Sequence, residues 1–255
     1  MTQALVGHHD TPRVDAPSVE IEYRDPVEGR QRGPLSACWS ARFEEMSPVR
    51  GFASFRGQRN WPGSWWFSRT GVHVGYESWV ERDTLMALDA DPEVEAVASQ
   101  PMWLHWTDAS GQARRHAPDF FARRGDGTGV LIDVRPDDGV ASADMATFAD
   151  TAAMAGHVGW EYRRVGELDV VAAANLRWLA GYRHPRCARP AVMAELREVF
   201  TEPGGLRAGA AAVGDPLAVL PVLFAMLWRR ELSADLDSHV LGSTSTVWVT
   251  RAGAS

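Results

Sequence analysis

The chain has 255 residues, 45% of them apolar and 23% charged, with a net charge of −7. That balance belongs to a globular protein of one large or two small domains. It argues against a protein that coats nucleic acid by bulk charge, and no apolar run approaches the roughly 18 residues of a membrane span. The opening residues, MTQALVGHHDTPRVD, lack a basic start and an apolar centre, so no secretory signal is read there. Cys38 and Cys187 are too few for a disulfide framework or a zinc site, and a reducing cytosol is the expected compartment. All 26 basic residues besides histidine are arginines. An arginine in a lysine's usual place therefore reflects drift as readily as function.

Residues 1–45 mix acids, Pro and Gly without sustained periodicity and read as an N-terminal extension or loosely packed arm. Residues 46–76 carry Arg50, Arg56, Arg59 and Arg69 and no acid, interleaved with Phe52, Phe55, Trp61, Trp65, Trp66, Phe67 and Tyr76. Arginines among aromatics suit a nucleic-acid surface, with Arg56, Arg59 and Arg69 as candidate contacts. A strand pair whose aromatics fill a core is the compatible alternative. YESWVERDTLMALDADP then turns helical and ends at Asp91-Pro92. Strands are predicted over 94–101, 102–107, 114–124 and 130–136, with turns at 108–111 and 124–129. A helix over 142–155 and a strand over 159–166 complete an α/β domain with a mixed sheet, spanning 46–165.

Helices are predicted over 167–181, 191–200 and 215–232, followed by a β-hairpin over 238–249 around Gly242-Ser243-Thr244. Helices followed by a hairpin resemble a winged helix, so 166–255 is read as a second, C-terminal domain. Residues 191–255 hold seven acids against five arginines, and a DNA-gripping winged helix would be basic on one face. A protein partner is the expected ligand of that domain. Arg177, Arg183, Arg186 and Arg189 lie in an acid-free stretch, 170–194, which faces DNA, an acidic partner or merely solvent.

The chemistry concentrates in HAPDFFARRGDGTGVLIDVRP, residues 116–136. A hairpin centred on Asp126 sets Asp119 directly opposite Asp133, with Cβ atoms roughly 4.5–5.5 Å apart on one face. Arg135 shares that face two residues on, while Phe120, Ile132 and Val134 point into a core. A bulge would alter this register. Two carboxylates so placed repel unless a cation lies between them, and Mg²⁺ (or Mn²⁺) takes such oxygens together with water and phosphate. A carboxylate inside the apolar run VLIDV needs a partner or metal. Arg135 cannot act as a general base, but it can orient phosphate or stabilise a transition state. A third acid is expected from the helix, Glu77 in its first turn with Glu81 as fallback; an acid favoured by the helix N-terminus is the plainer account of either. His116, two residues before Pro118, either approaches DNA or metal or serves structurally. No HxxxH, GxSxG or GxxxxGK[ST] pattern offers another centre.

An acid on a first helix (Glu77), then Pro118-Asp119, then Asp133-Val134-Arg135, resembles the PD-(D/E)xK nuclease superfamily with arginine in the lysine's place. More narrowly, YESWVERDTLMALDADPEVEAVASQP, RHAPDFF and LIDVRP, with the winged-helix-like tail, resemble the TnsA-type endonuclease subunit of heteromeric transposons over roughly residues 50–250. The resemblance implies a restriction-endonuclease-like mixed sheet flanked by helices. It implies Mg²⁺ held by Glu77, Asp119 and Asp133, and cleavage of the non-transferred strand at transposon ends. It also implies a DDE transposase partner of the TnsB type and an AAA+ regulator of the TnsC type at the C-terminal domain. A catalytically inactive assembly subunit and a stand-alone restriction or repair nuclease are the alternatives; a winged-helix regulator fits the acidic tail less well.

Overall fold

The structure, a computed structural model, describes residues 19–51, 61–135 and 142–250. It is a mixed α/β protein. The chain begins with the antiparallel hairpin β1 (Glu20–Asp25) and β2 (Gly29–Pro34), then a single turn of helix, α1 (Leu35–Cys38). A two-stranded sheet follows, β3 (Gly63–Trp66) with β4 (His73–Tyr76), and then helix α2 (Trp79–Ala90). Next come β5 (Val94–Ser99), β6 (Met102–Thr107), β7 (Ala113–His116), β8 (Phe120–Arg124) and β9 (Gly129–Val134). Helix α3 (Ser142–His157) and strand β10 (Glu161–Val165) close this half.

Two four-stranded sheets share the work. One runs β2-β1-β6-β7; the other runs β10-β9-β8-β5, with β10 parallel to β9 and the other pairs antiparallel. The second sheet carries apolar residues on both faces, because both are covered. Leu85 and Leu88 of α2 pack with Phe120, Ile132 and Val134 on one side. Met154 and Ala155 of α3 pack with Phe121 and Leu131 on the other.

Residues 20–34 are not a loose arm. Ile21 pairs with Leu104 of β6, and Ile21, Phe43 and Met102 are buried in the same core as Phe121 and Trp160. The hairpin's remaining side chains are mostly charged and pair across the strands, Arg30 with Glu22 and Arg32 with Glu20, which hides the apolar signal. The strand expected over 114–124 is two strands in different sheets. Pro118 lies at the break; it has no N–H to donate to a ladder, so β7 stays with β6 while β8 crosses to β5 and β9.

The C-terminal half comprises α4 (Val170–Ala180), α5 (Pro190–Val199), β11 (Gly204–Gly205), α6 (Leu206–Val213), α7 (Pro216–Trp228), β12 (Leu232–Ala234) and β13 (Thr246–Val249). The three strands form one sheet with β13 in the middle. Helix α6 lies outside the expected helices because the glycines of GGLRAGAAAVG look like loop. Gly209 is required by packing: a Cβ there would overlap the Phe200 ring. The expected hairpin over 238–249 is likewise different. β13 pairs with β12, and residues 235–245 form a long loop between them.

Asn175 of α4, 1% exposed, holds that loop. Its Nδ2 donates to the carbonyls of Leu236 and His239 at 2.8 Å each, and its Oδ1 accepts from Leu241 N–H at 2.7 Å. Asn175→Ala orphans these buried groups and is expected to cost about 1–3 kcal/mol, read from urea unfolding as a lower midpoint at unchanged slope.

The two halves share a core. Met86 and Ala90 of α2 lie in one apolar cluster with Leu179, Leu196, Phe200 and Leu227. Polar contacts reinforce it. Arg177 pairs with Asp83, and Arg183 stacks over Trp65 at 4.2 Å and bonds to the Ala180 carbonyl at 2.6 Å. Arg189 donates to the Ala218 carbonyl. Of the four arginines in 170–194, three thus make contacts within the fold. No single helix among the described residues is long and apolar enough to cross a membrane.

Candidate active site

The turn between β8 and β9 sets the site. Asp126 accepts the Thr128 N–H at 2.9 Å, and Gly127 adopts φ 89°, a conformation favouring glycine. The ladder then pairs Phe120 with Ile132, and carrying that register one step on sets Asp119 against Asp133. This is the pairing expected from the sequence.

Both carboxylates are buried, Asp119 at 3% exposure and Asp133 at 0%. Asp119 Oδ2 accepts the Val134 N–H at 2.8 Å and Arg135 Nη1 at 3.2 Å. Asp133 is held from two other directions. His116 Nε2 lies 2.9 Å from each of its oxygens, and Tyr162 Oη donates to Oδ2 at 2.9 Å. Burial pushes the Asp119 carboxyl above its usual range, and Asp133 adds to the push; the Val134 N–H and Arg135 oppose it. Burial and then the Asp133 charge drive the Tyr162 hydroxyl far up, so Tyr162 is a fixed proton donor to Asp133. Arg135, with its side chain 42% exposed, stands at the rim between solvent and Asp119.

The acids near α2 are arranged differently from expectation. Glu77 is not in the first helical turn; it precedes Ser78, the N-cap. Ser78 Oγ accepts the Glu81 N–H at 3.2 Å, and the Glu81 carboxylate accepts the Glu77 N–H at 2.7 Å. That is a capping-box-like exchange, and it makes Glu81 the buried acid of the first turn. Burial raises its pKa, opposed by the Glu77 N–H, and Asp119 is among the neighbours raising it further. Glu77 Oε2 instead faces Gln100 Nε2 at 3.2 Å and Arg50 at 3.0 Å.

Gln100 was not anticipated. It is fully buried between β5 and β6, at φ 45°. That left-handed conformation is uncommon for residues other than glycine, and strain of this kind collects at functional sites. Its N–H donates to the Asp119 carbonyl at 2.9 Å, while its Oε1 is buried with no hydrogen-bond partner. Gln100 thereby links Glu77 to Asp119 and leaves one acceptor unsatisfied beside them. Tyr162 and Arg50 were also missed as members of the site. Their roles depend on pairing between distant segments, β10 beside β9 and the chain before β3 beside β5. Of the proposed DNA contacts, His116 joins the site; Arg69 lies at the other end of α2, bonded to the Asp91 carbonyl at 3.2 Å. Arg56 and Arg59 fall outside the described residues.

The donors suit a hard divalent cation: carboxylates at Glu77, Asp119 and Asp133, all oxygen, with the unpartnered Gln100 Oε1 alongside. Among the described residues, no three His, Cys, Asp or Glu side chains already converge as a metal-ligand set. The Arg135 guanidinium is the cation that now faces Asp119.

No known family model matches this chain, and no curated protein matches it. The chemistry of the site is therefore read from its own donors and their arrangement.

Proposed function

We propose that this chain is a Mg²⁺-dependent DNA endonuclease, the subunit of a heteromeric transposase that cuts the non-transferred strand at transposon ends. The observation that carries the nuclease reading is the buried, opposed pair Asp119 and Asp133, with Glu77 tied to the Asp119 backbone through Gln100. Buried carboxylates are costly unless paired and hydrogen-bonded; His116, Tyr162 and Arg135 meet part of that cost here, and a bound cation would meet more. Supporting it, the order α2, β5, β8, β9, α3, β10 with β10 parallel to β9 fits a PD-(D/E)xK core. Three helices, α5 to α7, followed by the β12–β13 pair fit a winged helix. The transposon setting rests on the sequence resemblance. It supplies DNA ends as substrate, the TnsB-type transposase as partner, and the TnsC-type regulator at the C-terminal half.

Asp119, Asp133 and Glu77 would hold the metal, with Mn²⁺ as a substitute. When bound, the ion acidifies a water and offsets charge on the phosphodiester. Tyr162 and His116 fix Asp133 through both of its oxygens. Gln100 fixes Glu77, and the Val134 N–H fixes Asp119. Arg135 binds the phosphate and steadies its developing charge, a role its permanent cation suits and a lysine's proton-transfer role does not.

One observation favours a second reading, an inactive assembly subunit of the same complex: Arg135 Nη1 itself sits 3.2 Å from Asp119, where it offsets the charge a metal would. End cleavage by the reconstituted complex separates the two. On the enzyme reading, wild type cuts and Arg135→Ala lowers the rate roughly 10²-fold, the cost typical of one lost transition-state donor. A wild type that is inert while Arg135→Lys cuts would establish the assembly reading instead.

A further inference from the structure

At the far end of α2 from the candidate active site, where the C-terminal half packs on, lies a cavity of about 260 Å³. Its charged lining is Arg69, Arg183 and Arg229 against the single acid Asp89. In a chain of net charge −7 this local excess of cations stands out.

The single acid is already occupied. Asp89 accepts from Trp65 Nε1 at 2.9 Å, and from Ser68 N and Oγ at 2.9 and 2.7 Å. Arg183 is rigidly preset: it lies over Trp65 at 4.2 Å and Trp66 at 5.6 Å, and only approaches Asp89, at 3.7 Å. Burial lowers its pKa, and the Asp89 charge opposes that. Arg69 makes one bond, to the Asp91 carbonyl. Arg229, at the C-cap of α7, has no side-chain hydrogen bond or ion pair among the described residues. The dipole at that helix end favours a cation at Arg229, but it does not explain why guanidinia from three separate segments meet at one cavity.

We propose that this cavity binds a phosphate group, a backbone phosphate of bound DNA in the first instance. Guanidinia match phosphate oxygens in charge and in donor geometry, and Arg183 is held ready by its stacking. From Glu81 to Asp89, α2 rises about 12 Å. Along the helix axis that is the length of three to four base pairs of duplex. The choice of DNA as the source rests on the proposed nuclease function; the phosphate chemistry does not.

The test uses the full chain, with Arg69→Gln, Arg229→Gln and the double variant. Binding of a labelled duplex is followed by fluorescence anisotropy across a salt series, and thermal unfolding is measured with inorganic phosphate against chloride at equal ionic strength. Each single variant is expected to weaken duplex binding roughly tenfold, and the double to flatten the log K against log salt slope by close to one, the share of a single phosphate. Duplex binding unchanged in the double variant, but with its phosphate-specific stabilisation lost, would make free phosphate the ligand. Both readouts unchanged would overturn the proposal. Arginine-dependent binding by a chain that never cuts would sink the nuclease alone; cutting with no effect of either arginine would sink the phosphate site alone.

Discussion

Asp119→Asn is expected to lower Mg²⁺-dependent strand cleavage by about 10³-fold or more while leaving the protein folded. The loss follows because a metal site contributes several kcal/mol of charge stabilisation, and each 1.36 kcal/mol is about tenfold in rate. The fold survives because asparagine keeps an oxygen for the Val134 N–H that Asp119 accepts at 2.8 Å. Stability should in fact move the other way. The folded pKa of Asp119 is raised, chiefly by burial, so its contribution to stability is full below the ordinary carboxylate range and is lost as pH rises through the raised value. Metal-free wild type therefore carries a penalty at neutral pH that Asp119→Asn does not. The variant is expected to melt higher at neutral pH, with the difference closing as pH falls into the carboxylate range. Mg²⁺ should raise the melting temperature of wild type only. A variant that melts lower at neutral pH and cuts poorly would instead report damage to the fold.

Phe43→Ala is expected to be the most destabilising single change, by about 3–5 kcal/mol, read from urea unfolding. Phe43 is fully buried and meets Tyr23, Phe121 and Trp160 edge-on, with ring centroids 5.2, 5.6 and 5.4 Å away. Those partners lie in β1, in β8 and just before β10, so the ring ties the N-terminal hairpin to the sheet beside Asp119 and Asp133. Truncation leaves a cavity and removes three aromatic contacts together. A cost below about 1 kcal/mol would mean that residues 20–46 pack loosely after all.

The hairpin that carries the site was legible because its signals are local. RGDGTG gives the turn, an acid interrupts the apolar run VLIDV, and the fourteen-residue spacing sets one acid against the other. The helix end was legible in principle too. Ser78 and Glu81 form the S-x-x-E pattern of a capping box, which places Glu77 outside the helix and Glu81 in its first turn. What the sequence hid is non-local. β2, GRQRGP, has no apolar residue beyond its proline to announce it, and its neighbour β1 finds its other partner, β6, about eighty residues downstream. Gln100 reads as a polar link before a proline, and only the approach of Glu77 and Asp119 shows what it joins. Tyr162 reaches Asp133 only because β10 returns parallel to β9 after a sixteen-residue helix. In the C-terminal half, the long loop before β13 depends on Asn175, sixty residues and more away in the chain.

The central claim is that Asp119 and Asp133 form a divalent-metal centre, and metal binding itself tests it most directly. Mn²⁺, which shares the oxygen-ligand preference of Mg²⁺, can be titrated into the full chain and its free signal followed by electron paramagnetic resonance. The account expects one Mn²⁺ bound by wild type, displaced by excess Mg²⁺, and lost in Asp119→Asn. Wild type and Asp119→Asn binding Mn²⁺ equally, or neither binding it at all, would contradict it.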